Sequence, residues 1–386
     1  MLQSRRFAVP LILGVALTAG CEETGKNARN SGTCSDINGL QTCRYTSKTN
    51  SSGTMAVDIN VNSSAGAFLL STVGDDGTYL SVEEVTDPDG VTVLHWEDWY
   101  YGSNNLTAGI LPIFNEMQLN WPVRADDTQL SAGTWSISVA AIDRDGYYQL
   151  NSVIDVITQV KQDGTFSDGI VNARIVYVDG LDTDTNVTQA TEDAVEIWRD
   201  IWAAYGLGLS VDYDTNIYVS ADLPAMTEGS ADIDAISEDG TDADITVVIG
   251  DTVGGAANIY GESGGIPGTL VDGEHSAVAI SWITNAGGDG TFSSDDIQVY
   301  GETLAHEVGH YMGLFHPVDY DNSYDPYAWD ALNDTDECTR QSDCDDALGE
   351  NNMYPFPVCP DFNSCLPQQT LSAGQSGVLH RHVGAL

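Results

Sequence analysis

Between residues 54 and 160 the chain shows short runs in which apolar and polar residues alternate, separated by turn sequences. Alternation with a period of two places every second side chain on the same face of a β-strand. Asp87–Gly90 and Arg144–Gly146 are typical of tight turns. The clearest alternating runs are Met55–Val61, Ala67–Val73, Tyr79–Val82, Thr134–Ala140 and Val153–Ile157. Many short strands without a helical pattern predict a β-sandwich over residues 54–165, acting as an accessory domain or a pro-domain.

A second pattern begins near residue 168, where apolar strand runs alternate with longer segments of helical periodicity. Ala173–Val178 and Ile245–Ile249 are predicted strands. Residues 188–205 place Trp198 and Trp202, among other apolar side chains, at helical spacing, and Gly206 can end that helix. The aromatic face of this helix is typical of a surface that packs on a core. Residues 166–386 are therefore predicted to form a second domain that contains both strands and helices.

Two later helices carry recognisable caps. Ser293 supplies a hydroxyl cap, and Asp296 an acidic first turn, to a helix that should end near Met312. Ser372 with Gln375 forms the pattern of a capping box at the start of a last helix.

The N-terminus has the pattern of an export signal, because Arg5 and Arg6 precede an apolar run from Phe7 to Ala19. That run is too short to span a membrane as a mature helix. It ends in small residues before Cys21, which resembles a bacterial lipobox, where the cysteine is lipidated. We predict a lipoprotein-type signal peptide over residues 1–20, with cleavage elsewhere and no lipid as the alternative. The protein is then exported, as an outer-membrane or cell-surface lipoprotein or in secreted form. Residues 21–53 are rich in Ser, Asn, Thr and Gly and are predicted to be a surface tether.

The composition is strongly acidic. Lysine and arginine total 13 against 58 aspartates and glutamates, which gives a formal net charge of −45 at pH 7. Such a charge repels phosphate groups, so nucleic acid is excluded as a partner class. Acidic segments at 179–184, 288–290 and 319–325 offer oxygen ligands that suit calcium, but none matches the twelve-residue calcium loop. Calcium is an additional expected ion without assignable ligands, and solvated acidic loops are the alternative.

The cysteine count agrees with an oxidising compartment. Without Cys21, six cysteines remain, an even set suited to three disulfides. Cys34 and Cys43 form the natural local pair. The other four, which bracket Met353 and allow three pairings, are Cys338, Cys344, Cys359 and Cys365.

The segment from His306 to His316 contains the most informative chemistry of the chain. His306 and His310 are four residues apart, so a helix places both on one face, where one metal ion can bind both. Gly313 can adopt a left-handed conformation and turn the chain sharply, which returns His316 as a third ligand. Three protein ligands leave the fourth zinc position open for water, as in catalytic sites. Glu307 can reach that water without binding the metal. The histidines outside this motif that are expected at the surface are His95, His380 and His382.

This extended motif, with a methionine at position 353 in the sequence Asn-Asn-Met-Tyr-Pro, resembles the metzincin clan of zinc metallopeptidases. The resemblance covers about residues 170–386. It implies that residues 166–386 form an α+β metzincin-type catalytic domain with a mixed, twisted sheet, an active-site helix and a Met-turn. Residues 306–316 and the acidic segment from Asp330 to Cys338 look most like the pappalysin family, whereas Met353-Tyr354-Pro355 looks like the Met-turn of the matrixins. No metal-directed role is transferred to Tyr354, because proline stands where several metzincins carry a tyrosine.

The resemblance implies peptide-bond hydrolysis of a protein or peptide substrate, with Zn²⁺ on three histidines and Glu307 as general base and acid. Met353 would form a hydrophobic floor under the ligands. The strand pattern of His275–Trp282 is expected at the sheet edge beside which substrate docks, and a plain core or edge strand without that role is the alternative. The alternative function is a surface-anchored binding lipoprotein with a structural or vestigial metal site. Membrane contact is expected only through a lipid on Cys21, and the sequence does not predict an oligomeric state.

Overall fold

A computed structural model describes residues 33–37, 39–75, 77–220, 226, 231–359 and 365–386. The predicted signal peptide, the lipobox with Cys21 and the first third of the predicted tether lie outside the described residues. No helix in the described ranges is both long and apolar enough to cross a membrane.

The N-terminal half of the chain forms two antiparallel sheets that pack into a sandwich. One sheet has the order β1-β2-β11-β4-β9, and the other has the order β3-β10-β5-β6 with β8 beside β5. Their inner faces share one core, in which the rings of Phe68 and Trp135 lie 6.2 Å apart. The elements of this half are β1 Thr33–Ile37, β2 Leu40–Lys48, β3 Thr54–Val61, β4 Ala67–Gly74, β5 Tyr79–Thr86, β6 Thr92–His95, helix α1 Glu97–Tyr100, β7 Asn104–Asn105, β8 Ile113–Phe114, β9 Glu116–Trp121, β10 Gly133–Ile142 and β11 Val153–Lys161.

The tether prediction is wrong from Thr33 onward, because β1 and β2 form a hairpin within the sandwich. β2 pairs with β11 along its whole length, and its Leu40 and Thr42 are buried. Cys34 and Cys43 face each other across the hairpin and form a disulfide. The segment is polar because β1 and β2 lie at the edge of the sheet, where most of their outward side chains are exposed. This polar composition led to the wrong prediction of a tether.

The C-terminal half contains a sheet of order β13-β12-β14-β16-β15, in which only β15 runs antiparallel. Its helix α5 packs against α2 and against β15 and β16. The elements of this half are β12 Gly169–Tyr177, α2 Thr185–Ala203, β13 Leu207–Tyr213, α3 Ala231–Glu238, β14 Asp244–Gly250, β15 Gly261–Ser263, β16 Val278–Ser281, α4 Trp282–Asn285, α5 Ser294–Tyr311, β17 Val318–Tyr320, β18 Pro326–Asp330, α6 Gln341–Leu348 and α7 Ala373–Arg381.

The predicted helix signals are confirmed. Trp198 and Trp202 of α2 are buried, and Gly206, which follows the helix, has a φ of +82°. The side chain of Ser293 accepts the backbone N–H of Asp296, whose carboxylate accepts the N–H of Ser293, so α5 begins with a capping box. Ser372 and Gln375 cap α7 in the same way.

Two positional predictions are wrong. The strand within His275–Trp282 is internal, because β15 pairs with its outer side and becomes the edge. His380 and His382 are buried, not exposed: the imidazole of His380 lies 2.9 Å from the carbonyl oxygen of Tyr205, and His382 lies near Lys161 of the sandwich. Burial, with a further contribution from the charge of Lys161, lowers the pKa of His382 to about 3. Periodicity within α7 could not predict the burial of His382, because that burial depends on β11, which lies more than 200 residues earlier in the sequence.

Buried polar contacts join the two halves. Lys161, at the end of β11, donates a hydrogen bond from Nζ to the carbonyl oxygen of Ala385. The Asn120 amide donates to the carbonyl of Arg381 at 3.1 Å and accepts the N–H of Val383 at 3.2 Å. Hydrophobic side chains of both halves belong to one continuous core. The sandwich is therefore packed onto the C-terminal half through buried, hydrogen-bonded contacts.

Candidate metal centre

The last two turns of α5 and the bend after it bring three imidazoles together. His306 and His310 project from one face of α5, and Gly313 takes a φ of +105°, which returns the chain towards that face. The Nε2 atom of His316 then lies 3.3 Å from Nε2 of His306 and 3.1 Å from Nε2 of His310. In the described part of the chain, this is the one group of three or more His, Cys, Asp or Glu side chains close enough to share a metal ion.

The opposite ring nitrogen of each histidine is bonded to an outward partner. Nδ1 of His306 lies 2.6 Å from the carbonyl oxygen of Asn352, and Nδ1 of His310 lies 2.6 Å from that of Leu314. Nδ1 of His316 lies 2.8 Å from Oδ1 of Asp319. A carbonyl or carboxylate accepts only an N–H, so each Nδ1 carries the proton and each Nε2 keeps its lone pair.

Burial favours the neutral form of two of these rings, His306 and His310. Burial, reinforced by the neighbouring ring of His316, lowers the pKa of His306 to about 3 and that of His310 well below its usual value. Neutral imidazoles are the form that binds zinc. Three converging Nε2 atoms of histidine are a donor set that fits Zn²⁺, and a fourth position remains for water.

Glu307 lies beside this group on α5. It is half-buried, and desolvation raises its pKa to about 8, with a further increase from the charge of Glu262 on β15. A divalent cation in the triad would oppose this increase and favour the carboxylate. The nearest strand residue, Gly261, has no side chain, and a Cβ there would lie 2.5 Å from Cγ of Glu307. β15 therefore sets the space that Glu307 occupies.

Met353 packs beneath the helix that carries the histidines. It is fully buried, and a Cβ on Gly309 would lie 2.8 Å from its sulfur. The preceding Asn352 is fixed by hydrogen bonds from its amide to the carbonyls of Glu302 and Gln368. The same residue therefore holds the loop under the helix and supplies the carbonyl that orients His306.

Tyr354 points away from the triad. Its hydroxyl donates to Asp345 at 2.6 Å and lies 2.6 Å from the hydroxyl of Tyr320. These contacts hold the hydroxyl of Tyr354 between Asp345 and Tyr320.

The remaining four cysteines form two local disulfides, Cys338–Cys344 and Cys359–Cys365. One precedes Met353 in the chain and the other follows it. Sequence left three pairings open, and the structure selects the one in which each disulfide closes a short loop.

The acidic segments considered for calcium use their carboxylates locally. Asp321 accepts hydrogen bonds from the backbone N–H groups of Ser323 and Asp325. Asp289 accepts one from the backbone N–H of Thr291, and Asp184 caps α2. Asp319, also in one of these segments, bonds His316 instead. Sequence reasoning missed this role of Asp319. The only signal in the sequence was that Asp319 follows His316 by three residues. This spacing brings the two side chains together only because the chain turns into β17 between them.

Asp330, at the end of β18, gives a pH-dependent stability prediction. It is 4% exposed, its Oδ1 accepts from Thr335 and Leu332, and Oδ2 has no partner. Burial raises its pKa to about 6. Since this lies above the unfolded value near 4, the residue's stabilising contribution is complete below about pH 4 and is lost as the pH rises through 6. Asp330→Asn should raise the free energy of unfolding at pH 7.5 by about 2 kcal/mol and change little at pH 4.

Urea unfolding of metal-free protein at both pH values measures this difference. The exposed Asp336→Asn is the matched control for loss of one charge. An Asp330→Asn effect of equal size at pH 4 and pH 7.5 would contradict the assignment.

Comparisons with known proteins give the following matches. Residues 209–317, which include the His306–His316 segment, match the reprolysin-like metallopeptidases of family M12B. No curated protein matches the chain. Solved structures with local similarity include archaemetzincin from Methanopyrus kandleri, at 15% identity, a TM-score of 0.26, and coverage of 38% of this chain and 75% of that one. Myroilysin matches at 12% identity with a TM-score of 0.25, covering 54% of this chain and 90% of its own.

Metalloproteinase-II from Bacteroides fragilis matches at 12% identity with a TM-score of 0.27, covering 43% of this chain and 48% of that one. Global similarity at these TM-scores is low, so the family match over residues 209–317 is the informative result. It includes the helix and turn that carry the three histidines. This match confirms the resemblance of the chain to the metzincin clan of zinc metallopeptidases.

Proposed function

We propose that the protein is an exported zinc-dependent endopeptidase, in which His306, His310 and His316 hold the metal and Glu307 is the catalytic acid–base. One observation carries the proposal: three Nε2 atoms converge while each Nδ1 donates outward. A binding-only site has no need of an open fourth position beside a carboxylate. Support for export comes from the sequence of residues 1–21 and from three disulfides in the described residues.

The chain's own groups divide the reaction between them. When bound, zinc supplies a more acidic water and polarises the scissile carbonyl. Glu307 accepts the proton of the attacking water and delivers it to the departing amine, so the carboxylate is regenerated. The outward hydrogen bonds of the three rings hold their orientation during this cycle. Met353 forms a packed floor beneath the site, which is the role expected of a Met-turn.

Substrate is proposed to dock along β15. This strand is the edge of its sheet in the described structure and runs antiparallel to β16. An extended peptide can add to such an edge through backbone hydrogen bonds. Because Gly261 of β15 adjoins Glu307, a peptide on this strand lies beside the carboxylate.

Zinc removal tests the proposal. Purified protein should contain one zinc per chain and digest unfolded casein at neutral pH. A chelator should abolish digestion, and added zinc should restore it, because the metal supplies the activated water. Bound zinc without hydrolysis of casein or of a peptide library would favour the alternative, a binding lipoprotein with a structural or vestigial metal site.

A further inference from the structure

A short strand of the N-terminal half, β7, joins a sheet of the C-terminal half near the metal centre. β7 pairs in parallel with β18, which pairs with β17 on its other side. Two backbone bonds fix β7, from the N–H of Trp329 to the carbonyl of Ser103 at 2.8 Å and from that of Ala331 to the carbonyl of Asn105 at 3.1 Å. This sheet therefore has one strand from the N-terminal half, in the connection between β6 and β9 of the sandwich, and two strands that follow the last histidine of the motif.

The side chain of Asn105 reaches the carboxylate that orients His316. Its Nδ2 donates to Oδ2 of Asp319 at 3.4 Å, while Oδ1 of Asp319 accepts from Nδ1 of His316 at 2.8 Å. The two oxygens of one carboxylate thus have separate partners. The hydrogen bond from Asn105 limits rotation of the Asp319 carboxylate and stabilises its negative charge. Both effects help to fix the orientation of the His316 ring, which donates to the other oxygen.

The sandwich also lies against the bend between the second and third histidines. Leu106 and Val123, both buried, line one small cavity together with Gly313 and Leu314. Leu314 supplies the carbonyl that orients His310. Residues of the N-terminal half therefore contact the groups that orient two of the three imidazoles, those of His310 and His316.

We infer that Asn105 is a positioning residue for the metal centre, acting through Asp319 on His316, and that the sandwich is a working part of the active protein. This inference rests on the proposed zinc site. Its consequence is that the active form retains residues 54–165, because removal of the sandwich would remove β7 and the support of the bend.

The experiment compares Asn105→Ala and the similarly shaped Asn105→Leu with Asn104→Ala, a matched control from the same strand. Zinc affinity is measured by competition with a chromophoric chelator, and the cobalt-substituted protein is examined by visible absorption. Loss of partners that orient metal ligands typically costs tenfold to a hundredfold in affinity. Asn105 does not contact the ligand His316 itself but is one hydrogen bond further from the metal, through Asp319. Both variants should therefore bind zinc roughly threefold to tenfold more weakly. Asp319→Asn should show a larger loss, and Asn104→Ala should equal wild type.

Further measurements separate positioning from folding. The Asn105 variants should shift the cobalt spectrum and lower kcat with little change in KM, because β15, not β7, receives substrate. Urea unfolding of the metal-free variants should match wild type within the effect of one partly buried hydrogen bond. A destabilised Asn105→Ala with unchanged zinc affinity and cobalt spectrum would show a merely structural residue and overturn the inference. Intact-mass analysis of the active form should find residues 54–165 present, and their absence would also overturn it.

These outcomes are distinct from failure of the proposed function. If the Asn105 variants weaken zinc binding but no peptide is hydrolysed, the endopeptidase proposal fails and the positioning role stands. If peptides are hydrolysed and the Asn105 variants bind zinc as wild type does, the positioning role fails alone.

Discussion

Replacement of Glu307 by alanine should leave zinc bound and reduce peptide hydrolysis by at least about a hundredfold. Glu307 is not one of the three residues that converge on the metal position, so the variant keeps all three nitrogen ligands. The reaction loses the group that takes the proton from the attacking water. Glu307→Gln, which keeps the shape and removes the basic oxygen, should lose a similar factor. Zinc content by atomic emission and kcat/KM on a fluorogenic peptide measure the two effects separately.

Glu302→Gln provides the matched control for this prediction. Glu302 lies on the same helix, but its carboxylate accepts from Gln298 and does not contact the imidazoles. We expect its zinc content and kcat/KM to stay near wild type. Unchanged cleavage by Glu307→Ala would remove this residue from the mechanism, whereas loss of zinc in that variant would make it a ligand.

Gly261→Ala should lower kcat/KM by about a hundredfold without loss of zinc, because misplacement of a reacting group by about 1 Å can cost that factor. The new Cβ would lie 2.5 Å from Cγ of Glu307 and 2.9 Å from Cδ1 of Ile280. Both distances are shorter than any normal carbon contact, so the carboxylate or the strand must move. Movement of either changes the relation between Glu307 and a peptide docked on β15. Steady-state kinetics with zinc analysis measure this effect.

Gly164→Ala is the control for the substitution itself, since a Cβ there meets nothing closer than 3.4 Å. It should leave kinetics and zinc content unchanged. Normal kcat/KM in Gly261→Ala would show that β15 does not set the position of Glu307. Loss of zinc in the same variant would show that the strand supports the imidazoles instead.

Local sequence information was sufficient for the elements that depend on neighbouring residues. The hydroxyl cap and acidic first turn at Ser293 predicted the start of α5, and the capping-box pattern at Ser372 predicted the start of α7. The four-residue spacing of His306 and His310, with Gly313 after them, predicted a shared site, and the Nε2 atoms do converge. Helix periodicity and a left-handed glycine are local properties, so a sequence can report them directly.

The features that the sequence could not supply arise from contacts between distant segments. His275–Trp282 has the pattern of a strand, but its internal position depends on β15, which is only three residues long. Burial of His382 depends on the sandwich. Asn105 and Asp319 are more than 200 residues apart in sequence, and each is unremarkable in its own segment. Pairing of this kind is decided by the tertiary fold, which composition and periodicity do not specify.

The most direct test of the metal centre is a zinc-edge X-ray absorption measurement on the purified protein, read together with a crystal structure of the same sample. We expect one zinc bonded to Nε2 of His306, His310 and His316 at about 2.0–2.1 Å, with a single water oxygen in the fourth position. Glu307 should lie within hydrogen-bond distance of that oxygen. A fourth ligand from the protein, or imidazole rings turned away from a common ion, would contradict the account.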